Sequence, residues 1–322
     1  MTTRVSPSEF ILRTPAVGPA LALVAAVVVF GLTTDTFFNV DNLSLVVQQS
    51  LVIGTLALGQ TLVILTAGID LANAAIAVFA TLLIAKLTLT GTAGSVSLVV
   101  GIIAAAAIGA VTGGLVTGLR LPPFIVTLGL LTIVTAVSRI YAQGQSFPVT
   151  DGTLGWLGTT QYLFGQIEVT YGMAVMLAMF VGLWYALTKT AWGKHVYAVG
   201  NDPEAARLSG IHVRRTVLSV YLVAGLIYGV AAWQALGRVP NADPNAFQLG
   251  NLDSITAVVI GGTSLFGGRG SVLGTLVGAL IVAVLRSGLT QAGIDNLYQD
   301  VATGALVIAA VAVDRFSRGR QR

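Results

Sequence analysis

Apolar residues run along this chain in blocks of roughly one bilayer thickness, separated by short polar breaks. A membrane-spanning helix needs about 20 mostly apolar residues, with a range of roughly 17–25. On that ruler the sequence divides near residues 16–32, 48–67, 72–89, 94–118, 122–142, 170–188, 215–237, 252–266, 271–290 and 297–313. The pattern predicts an all-α polytopic membrane protein with about ten transmembrane helices, including short or broken ones, in a single transmembrane domain over residues 1–322. The eighth segment is short for a full span. It reads equally as a re-entrant or broken helix, which is tolerated only where protein or a watery cavity covers its backbone. Phe37–Gln49 is expected to be an outer loop with a short interfacial helix, and Asp41 its N-cap. The first segment reads as a retained span, because no small-residue cleavage site of the Ala-x-Ala kind follows it.

Composition agrees with the pattern. Hydrophobic residues make up 55% of the chain, mean hydropathy is +0.86, and one soluble core could not bury that much apolar surface. Glycine, 38 of 322 residues, suits close helix packing in lipid. With no cysteine, disulfides, thiolate metal sites and thiol catalysis are excluded. The net charge of +4 reflects orientation in a bilayer rather than nucleic-acid binding, and no nucleic-acid partner is expected.

Ten segments would place both termini on one side. If that side is cytoplasmic, it receives Arg4, Arg13, Arg120, Lys189, Lys194, Arg207, Arg214, Arg215, Arg269, Arg315, Arg318, Arg320 and Arg322. Only Lys86, Arg139, Arg238 and Arg286 are left for the outer side or the outer span ends, which satisfies the positive-inside rule. Residues 143–169 then form an outer, periplasmic loop. Its Gln143–Glu168 stretch lacks Lys and Arg and carries Trp156, Tyr162 and Phe164. It is long enough to receive a partner, and aromatics at the headgroup level account for it equally.

Two polar breaks interrupt apolar sequence. In LTAGIDLANAA, Gly68 and Asp70 break the run and Asn73 follows Asp70 at i+3. Asp70 is either a helix cap at the inner surface or part of a bend that lines a transport path. In AVVIGGTSLFGGRGSVLG, the pairs Gly261–Gly262 and Gly267–Gly268 are costly for a helix interior. VILTAGIDL and VVIGGTSLF hint at a weak internal repeat, although both could be tight turns between packed helices. Gly262-x4-Gly267 is not a phosphate loop, since Gly268 and Arg269 stand where Lys and Ser or Thr are required. His195 and His212 lack carboxylates at ligand spacing, and no metal site or hydrolytic constellation is expected.

The charged island Lys189–Arg215 stands out in a chain that is only 9% charged. Pro203 fits the first turn of a short helix, PEAARLSG, capped by Asn201 or Asp202 and stopped by Gly210. About two turns are marginal alone and need docking for stability. An interfacial helix and a contact for a soluble partner both fit.

EAARLSG, Glu204–Gly210, resembles the EAA-x3-G coupling motif of ABC importer permeases. Its flanks, with LVILTAGIDL at 62–71, LPPFIVTLG at 121–129, SITAVVIGGTSLFGGRGSVLGTLVGALIV at 254–282 and AVAVDR at 310–315, resemble the ribose, fructose and xylose permease family along nearly the whole chain. One departure stands out: Ala72-Asn73-Ala74-Ala75 replaces the family's usual Ser-Val-Gly-Ser, placing a bulky amide where small groups are expected.

The resemblance implies a permease subunit in the bacterial cytoplasmic (inner) membrane, paired with a second copy or a paralogue. Two ATP-binding subunits would sit below it, carrying ATP and Mg, with no cofactor on this chain. A periplasmic or lipid-tethered sugar-binding protein would sit above. The island would be the cytoplasmic coupling loop, with Asp202, Pro203, Glu204, Ala205, Ala206, Arg207 and Gly210 forming the contact to the ATPase. Gln60, Asp70, Asn73, Thr127, Asp253, Ser254, Thr263 and Ser264 are candidate path residues, as polar groups in apolar segments. Arg139, Arg238 and Asp243 are candidate docking groups for the binding protein. LWYALTKTAWGKHVYAVGNDPEAA most resembles the fructose and ribose type, with a sugar alcohol, a signalling furanose or a nucleoside as alternative cargo. A secondary carrier or a channel would do without the coupling helix.

Overall fold

A computed structural model describes residues 17–34, 36–163 and 167–319. The expectations placed on Arg4, Arg13, Phe164, Arg320 and Arg322 lie outside these residues. The helices in chain order are α1 (Val17–Thr33), α2 (Val40–Leu65), α3 (Asn73–Leu89), α4 (Gly94–Gly118), α5 (Pro123–Ala142), the short α6 (Gly152–Gly155), α7 (Tyr171–Lys189), α8 (Ala191–Asn201), α9 (Pro203–Leu208), α10 (Val213–Arg238), α11 (Gly250–Ile260), α12 (Val272–Gln291) and α13 (Asn296–Gly319). A helix therefore lies in each of the ten apolar segments. Among the described residues, α2, α4, α5, α7, α10 and α12 are long and apolar enough to cross a membrane, whereas α1, α3 and α11 are shorter apolar helices. The chain is an all-helical, multi-pass membrane protein.

Helices α2 and α10 form the buried axis. α10 packs along α4, α2 and α3, while α2 also packs against α12 and α11. Their surroundings differ from those of the peripheral helices for a physical reason. Lipid is as apolar as leucine, so a peripheral helix gains nothing by hiding its apolar face. Accordingly Val99, Ile103 and Val111 of α4 and Ile125, Ile133 and Ile140 of α5 are exposed on the protein surface. Polar residues of α2 instead turn inward. Thr55 donates to Gln234 Oε1 at 2.6 Å, and Thr61 shares a 2.7 Å hydrogen bond with Thr275 of α12. Helices α4 and α10 approach until their backbones touch: a Cβ on Gly109 would lie 2.3 Å from the Tyr221 carbonyl oxygen.

At one end of the bundle, residues 143–163 and 167–170 fold over the helix tips. Strand β1 (Phe147–Pro148) pairs antiparallel with β4 (Asn241–Ala242), and β2 (Thr160–Leu163) pairs with β3 (Ile167–Thr170) as a hairpin. Trp156 stacks on Tyr171 with centroids 4.9 Å apart and on Trp233 at 6.1 Å. These aromatics therefore pack on the helix ends, while Trp156 and Tyr162 keep exposed surface.

Two local expectations need correction, and two open readings are decided. Residues 40–49 are the first turns of α2, continuous with the span, rather than a separate interfacial helix. The N-cap is Asn39, whose side chain accepts from the Asp41 backbone N–H; Asp41 sits in the first turn, where a carboxylate favours the helix dipole. Of the two readings of Asp70, the N-cap of the next helix is not the one found. α3 starts at Asn73 after Ala72, which makes no side-chain cap, and Asp70 is 1% exposed. The eighth segment is resolved in favour of a short helix: the 11 residues of α11 rise only about 16 Å, roughly half a hydrocarbon core.

Candidate functional site

The charged island folds into two helices. Asp202 ends α8 and caps α9, its Oδ1 accepting from the N–H groups of Glu204 at 2.9 Å and Ala205 at 3.0 Å. Pro203 follows at the first helical position, where its missing N–H costs nothing. Gly210, at φ +84°, closes α9. The Ile211 N–H reaches the Ala206 carbonyl and the Gly210 N–H reaches the Arg207 carbonyl, both at 3.0 Å, which is a Schellman stop. Of the island's contact candidates, Ala206 is buried, while Glu204 and Arg207 pair at 2.9 Å with side chains 75% and 68% exposed. An exposed i,i+3 pair adds only about 0.2–0.5 kcal/mol to the fold. Both charges therefore remain available to a partner.

Helix α8 is locked to the bundle by backbone. A Cβ on Gly200 would fall 1.7 Å from the Leu65 carbonyl oxygen, at the end of α2, and 2.7 Å from the Gly268 nitrogen. The Gly268 N–H donates to that same Leu65 carbonyl at 3.0 Å. Tyr197 of α8 adds a 3.0 Å hydrogen bond to the Gly270 carbonyl. Burial raises the Tyr197 phenol above its ordinary range, so it stays protonated as a donor. The end of α2, the end of α8 and the glycine loop 261–271 thus meet in one three-way junction.

Just beyond this junction lies the first break, where several of the predicted polar residues converge. The Gln60 side-chain amide, oriented by its neighbours, donates to the Asp70 carbonyl at 3.0 Å and accepts from the Asp70 N–H at 3.2 Å. The Asp70 carboxylate accepts from the Ala72 N–H at 2.9 Å. Tyr228 of α10 brings its hydroxyl within reach of that carboxylate, without the alignment of a full hydrogen bond, and Tyr221 lies beside it. From α5, Thr127 donates to the Ile69 carbonyl at 2.9 Å. Asn73 donates to Ser254 Oγ of α11 at 2.6 Å, and Ser254 in turn donates to the Asn251 carbonyl. Gln60, Asp70, Asn73, Thr127 and Ser254 therefore form one buried polar cluster that fixes the bend in a low-dielectric interior.

The remaining predicted path residues lie elsewhere. Thr263 and Ser264 are buried in the glycine loop, and Ser264 Oγ accepts from the Phe266 N–H at 3.4 Å. Asp253 of α11 pairs with Arg286 of α12 at 2.8 Å, and Arg286 also reaches Asp300 of α13 at 3.5 Å. Asp253, Arg286, Asp300 and Arg238 line a cavity of about 560 Å³. A second cavity of about 270 Å³ is lined by Arg139, Ser138 and Asn251. Asp243, the third docking candidate, accepts from the Asn245 N–H and shapes the turn between them.

Nothing in the sequence singles out Tyr197, Gly200, Tyr221 or Tyr228. An arginine inside an apolar helix, Arg286, was a visible signal for the cavity, because such a charge persists only with a partner or water. The tyrosines carried no comparable signal, since buried aromatics are ordinary core.

A buried bundle with broken helices, anchored at both breaks to α8 and followed by the exposed short helix α9, defines a helical membrane permease component. The chain belongs to the family described as "Branched-chain amino acid transport system / permease component", whose model matches residues 42–311. Among curated relatives, it is 42% identical over 317 residues to the fructose import permease protein of Rhizobium meliloti, covering 96% of this chain and 88% of the relative. It is 36% identical over 303 residues to the ribose import permease protein of Bacillus subtilis (92% of each chain), and 31% identical over 325 residues to the D-allose transport system permease protein of Escherichia coli (98% of each). No solved structure matches the chain. Members of this family are transporter components rather than enzymes.

Proposed function

We propose that this chain is the membrane permease of an ATP-driven monosaccharide importer, carrying a ribose- or fructose-like sugar into the cytoplasm. The observation that carries this reading is the contrast within the island. α9 offers an exposed Glu204–Arg207 pair that the fold scarcely needs, while α8 is fused by backbone contact to the ends of α2 and of the glycine loop. A push on α9 by an ATP-binding subunit then reaches the bundle through α8 as well as through the flanking spans α7 and α10. The relatives' names, which cite fructose, ribose, galactose and allose, favour a sugar over the amino acids of the family description.

In this reading ten membrane segments place both termini in the cytoplasm, and the protein sits in the bacterial inner membrane. It pairs with a second copy or a paralogue. ATP and Mg belong to the ATP-binding subunits, and a binding protein docks over the end that carries Arg139, Arg238 and Asp243. The test is ATPase activity of the chain reconstituted in nanodiscs with its co-encoded ATP-binding subunit and binding protein, over a panel of monosaccharides. Stimulation by one sugar, lost in Glu204→Arg while the complex stays folded, is the expected result. Sugar transport without any associated ATP-binding subunit would instead establish a secondary carrier.

A further inference from the structure

The 560 Å³ cavity lies at the end of the bundle opposite the island. Gln49 on its wall belongs to the first half of α2, whose far end meets α8, and Arg238 is the last residue of α10, whose first turn follows α9. Its size falls in the range of ligand pockets, about 300–1,000 Å³. Its lining is more polar than a lipid-facing crevice would be, with the carboxamides Gln49, Gln248 and Gln299 beside Arg286 and Asp253. The two arginines and two aspartates cancel in formal charge, and Arg286 is already shared between Asp253 and Asp300. What remains is hydrogen-bonding capacity without net charge. The Nε of Arg286 is buried and has no partner. The first turn of α11, from Gly250, lies along the same space. Amides, forked guanidinium donors and paired carboxylates are the groups that recognise a neutral polyhydroxylated molecule, and Phe247 supplies an apolar face beside them.

The position of the wall adds a second observation. Phe247 and Gln248 line both this cavity and the smaller one next to Asn251 and Ala74. Phe247 holds φ +51°, a left-handed backbone that a bulky side chain rarely adopts. Such conformations persist where the surroundings enforce them and gather at ligand clamps and switch regions. Below this partition, α11 runs as a short rod. Asp253 stands at the cavity, Ser254 bonds Asn73 at the first break, and the Ile260 end opens into the glycine loop that touches α8.

We infer that this cavity is a holding site for the sugar on the permease itself, with Gln49, Gln248, Asp253 and Arg286 as hydroxyl-binding groups and Phe247–Gln248 as the partition toward the smaller chamber. The inference rests on the importer reading and adds to it a defined site. Because the chain has no cysteine, Asn245→Cys and Asn296→Cys, on the cavity wall but outside the hydroxyl-binding set, each give a single reporter thiol. In proteoliposomes holding the complete transporter, uptake of labelled D-ribose and D-fructose is measured before and after outside treatment with charged, membrane-impermeant methanethiosulfonates, and with the small methyl reagent. Both variants are expected to transport before treatment, to react from outside, to lose at least tenfold in uptake with the bulky adduct, and to keep most of it with the methyl adduct. Complete bulky labelling with uptake unchanged within twofold would remove the cavity from the sugar's route while leaving the importer intact. Failure of both thiols to react would show it closed to outer water and overturn the site equally. If the unmodified complex imports neither sugar, the importer reading fails first and takes the site with it.

Discussion

The two breaks in this bundle end in the same backbone motif and are held in opposite ways. In VILTAG the Gly68 N–H reaches the Val63 carbonyl and the Ala67 N–H the Ile64 carbonyl; in VVIGGT the Thr263 N–H reaches Val258 and the Gly262 N–H Val259. These are matching Schellman stops, with Ala67 at φ +61° and Gly262 at φ +85° in the equivalent place. Around the first, side chains do the holding: Gln60, Thr127 and Asn73 bring α2, α5 and α11 to the bend. Around the second, contact is backbone on backbone, since a Cβ on Gly274 would lie 2.0 Å from the Gly261 carbonyl oxygen. One break is fixed by direction and the other by volume. Hydrogen bonds can re-form after a small displacement, whereas touching backbones transmit any displacement at once. Helix α8 meets both, since Gly200 packs on the Leu65 carbonyl beside the first break and on Gly268 in the second.

The comparison breaks most severely at Gly200. Adding one methyl there forces the α2 end, α8 and the glycine loop apart against backbone atoms that have no rotamer to change. Gly200→Ala is expected to cost about 3 kcal/mol or more, the upper end for overpacking, and to abolish uptake. Gly182→Ala in α7, with nothing within 4 Å of its Cβ, should stay within about 0.5 kcal/mol of the parent. Thermal unfolding of both variants in detergent checks the pair. Equal midpoints would mean that the junction is loose and volume does not hold it.

A substitution in the first break should act through unsatisfied groups instead. Gln60→Met keeps the length of the side chain but leaves the Asp70 N–H and carbonyl without the amide that pairs both. Losing partners for buried polar groups costs about 1–3 kcal/mol, and we expect about 2 kcal/mol here because the neighbouring tyrosines offer partial compensation. Hydrogen exchange at Asp70 should speed up in the same variant. A stability unchanged within 0.5 kcal/mol would show the bend to be held by packing alone.

Much of this architecture was legible because membrane insertion writes itself into sequence. Each apolar block became a helix, and Pro203 and Gly210 marked the limits of α9. The repeat between VILTAG and VVIGGT was visible as letters, yet only the shared hydrogen bonds show why it exists. Asp41 was misread as a cap and Asp70 stayed open to the same reading for one reason: both have the chemistry of a cap, and a one-dimensional string does not reveal that Asn39 already occupies the first position or that Tyr221 and Tyr228 flank the second. Of the candidate path residues, the cluster around Asp70 was found as separate polar letters and assembled only in three dimensions. The partner of Asp253 lies 33 residues away in another helix, beyond the reach of any local pattern.

The smallest effect sharpens the distinction between glycine used for volume and glycine used for conformation. Gly210 holds φ +84° with nothing within 4 Å of its would-be Cβ, whereas Gly268 holds φ +71° with Asn201 Cα only 2.8 Å away. A left-handed L-residue costs about 1–2 kcal/mol, and asparagine tolerates that region better than alanine. Gly210→Ala should therefore cost about 1 kcal/mol, loosening α9 and lowering coupled ATPase activity in proportion, and Gly210→Asn should recover most of both. At Gly268, asparagine meets the same backbone wall as alanine, and neither should restore the parent. Equal damage from alanine and asparagine at Gly210 would mean that a partner surface, and not the turn, requires the bare backbone. In that case the exposed side of the stop itself belongs to the contact with the ATP-binding subunit.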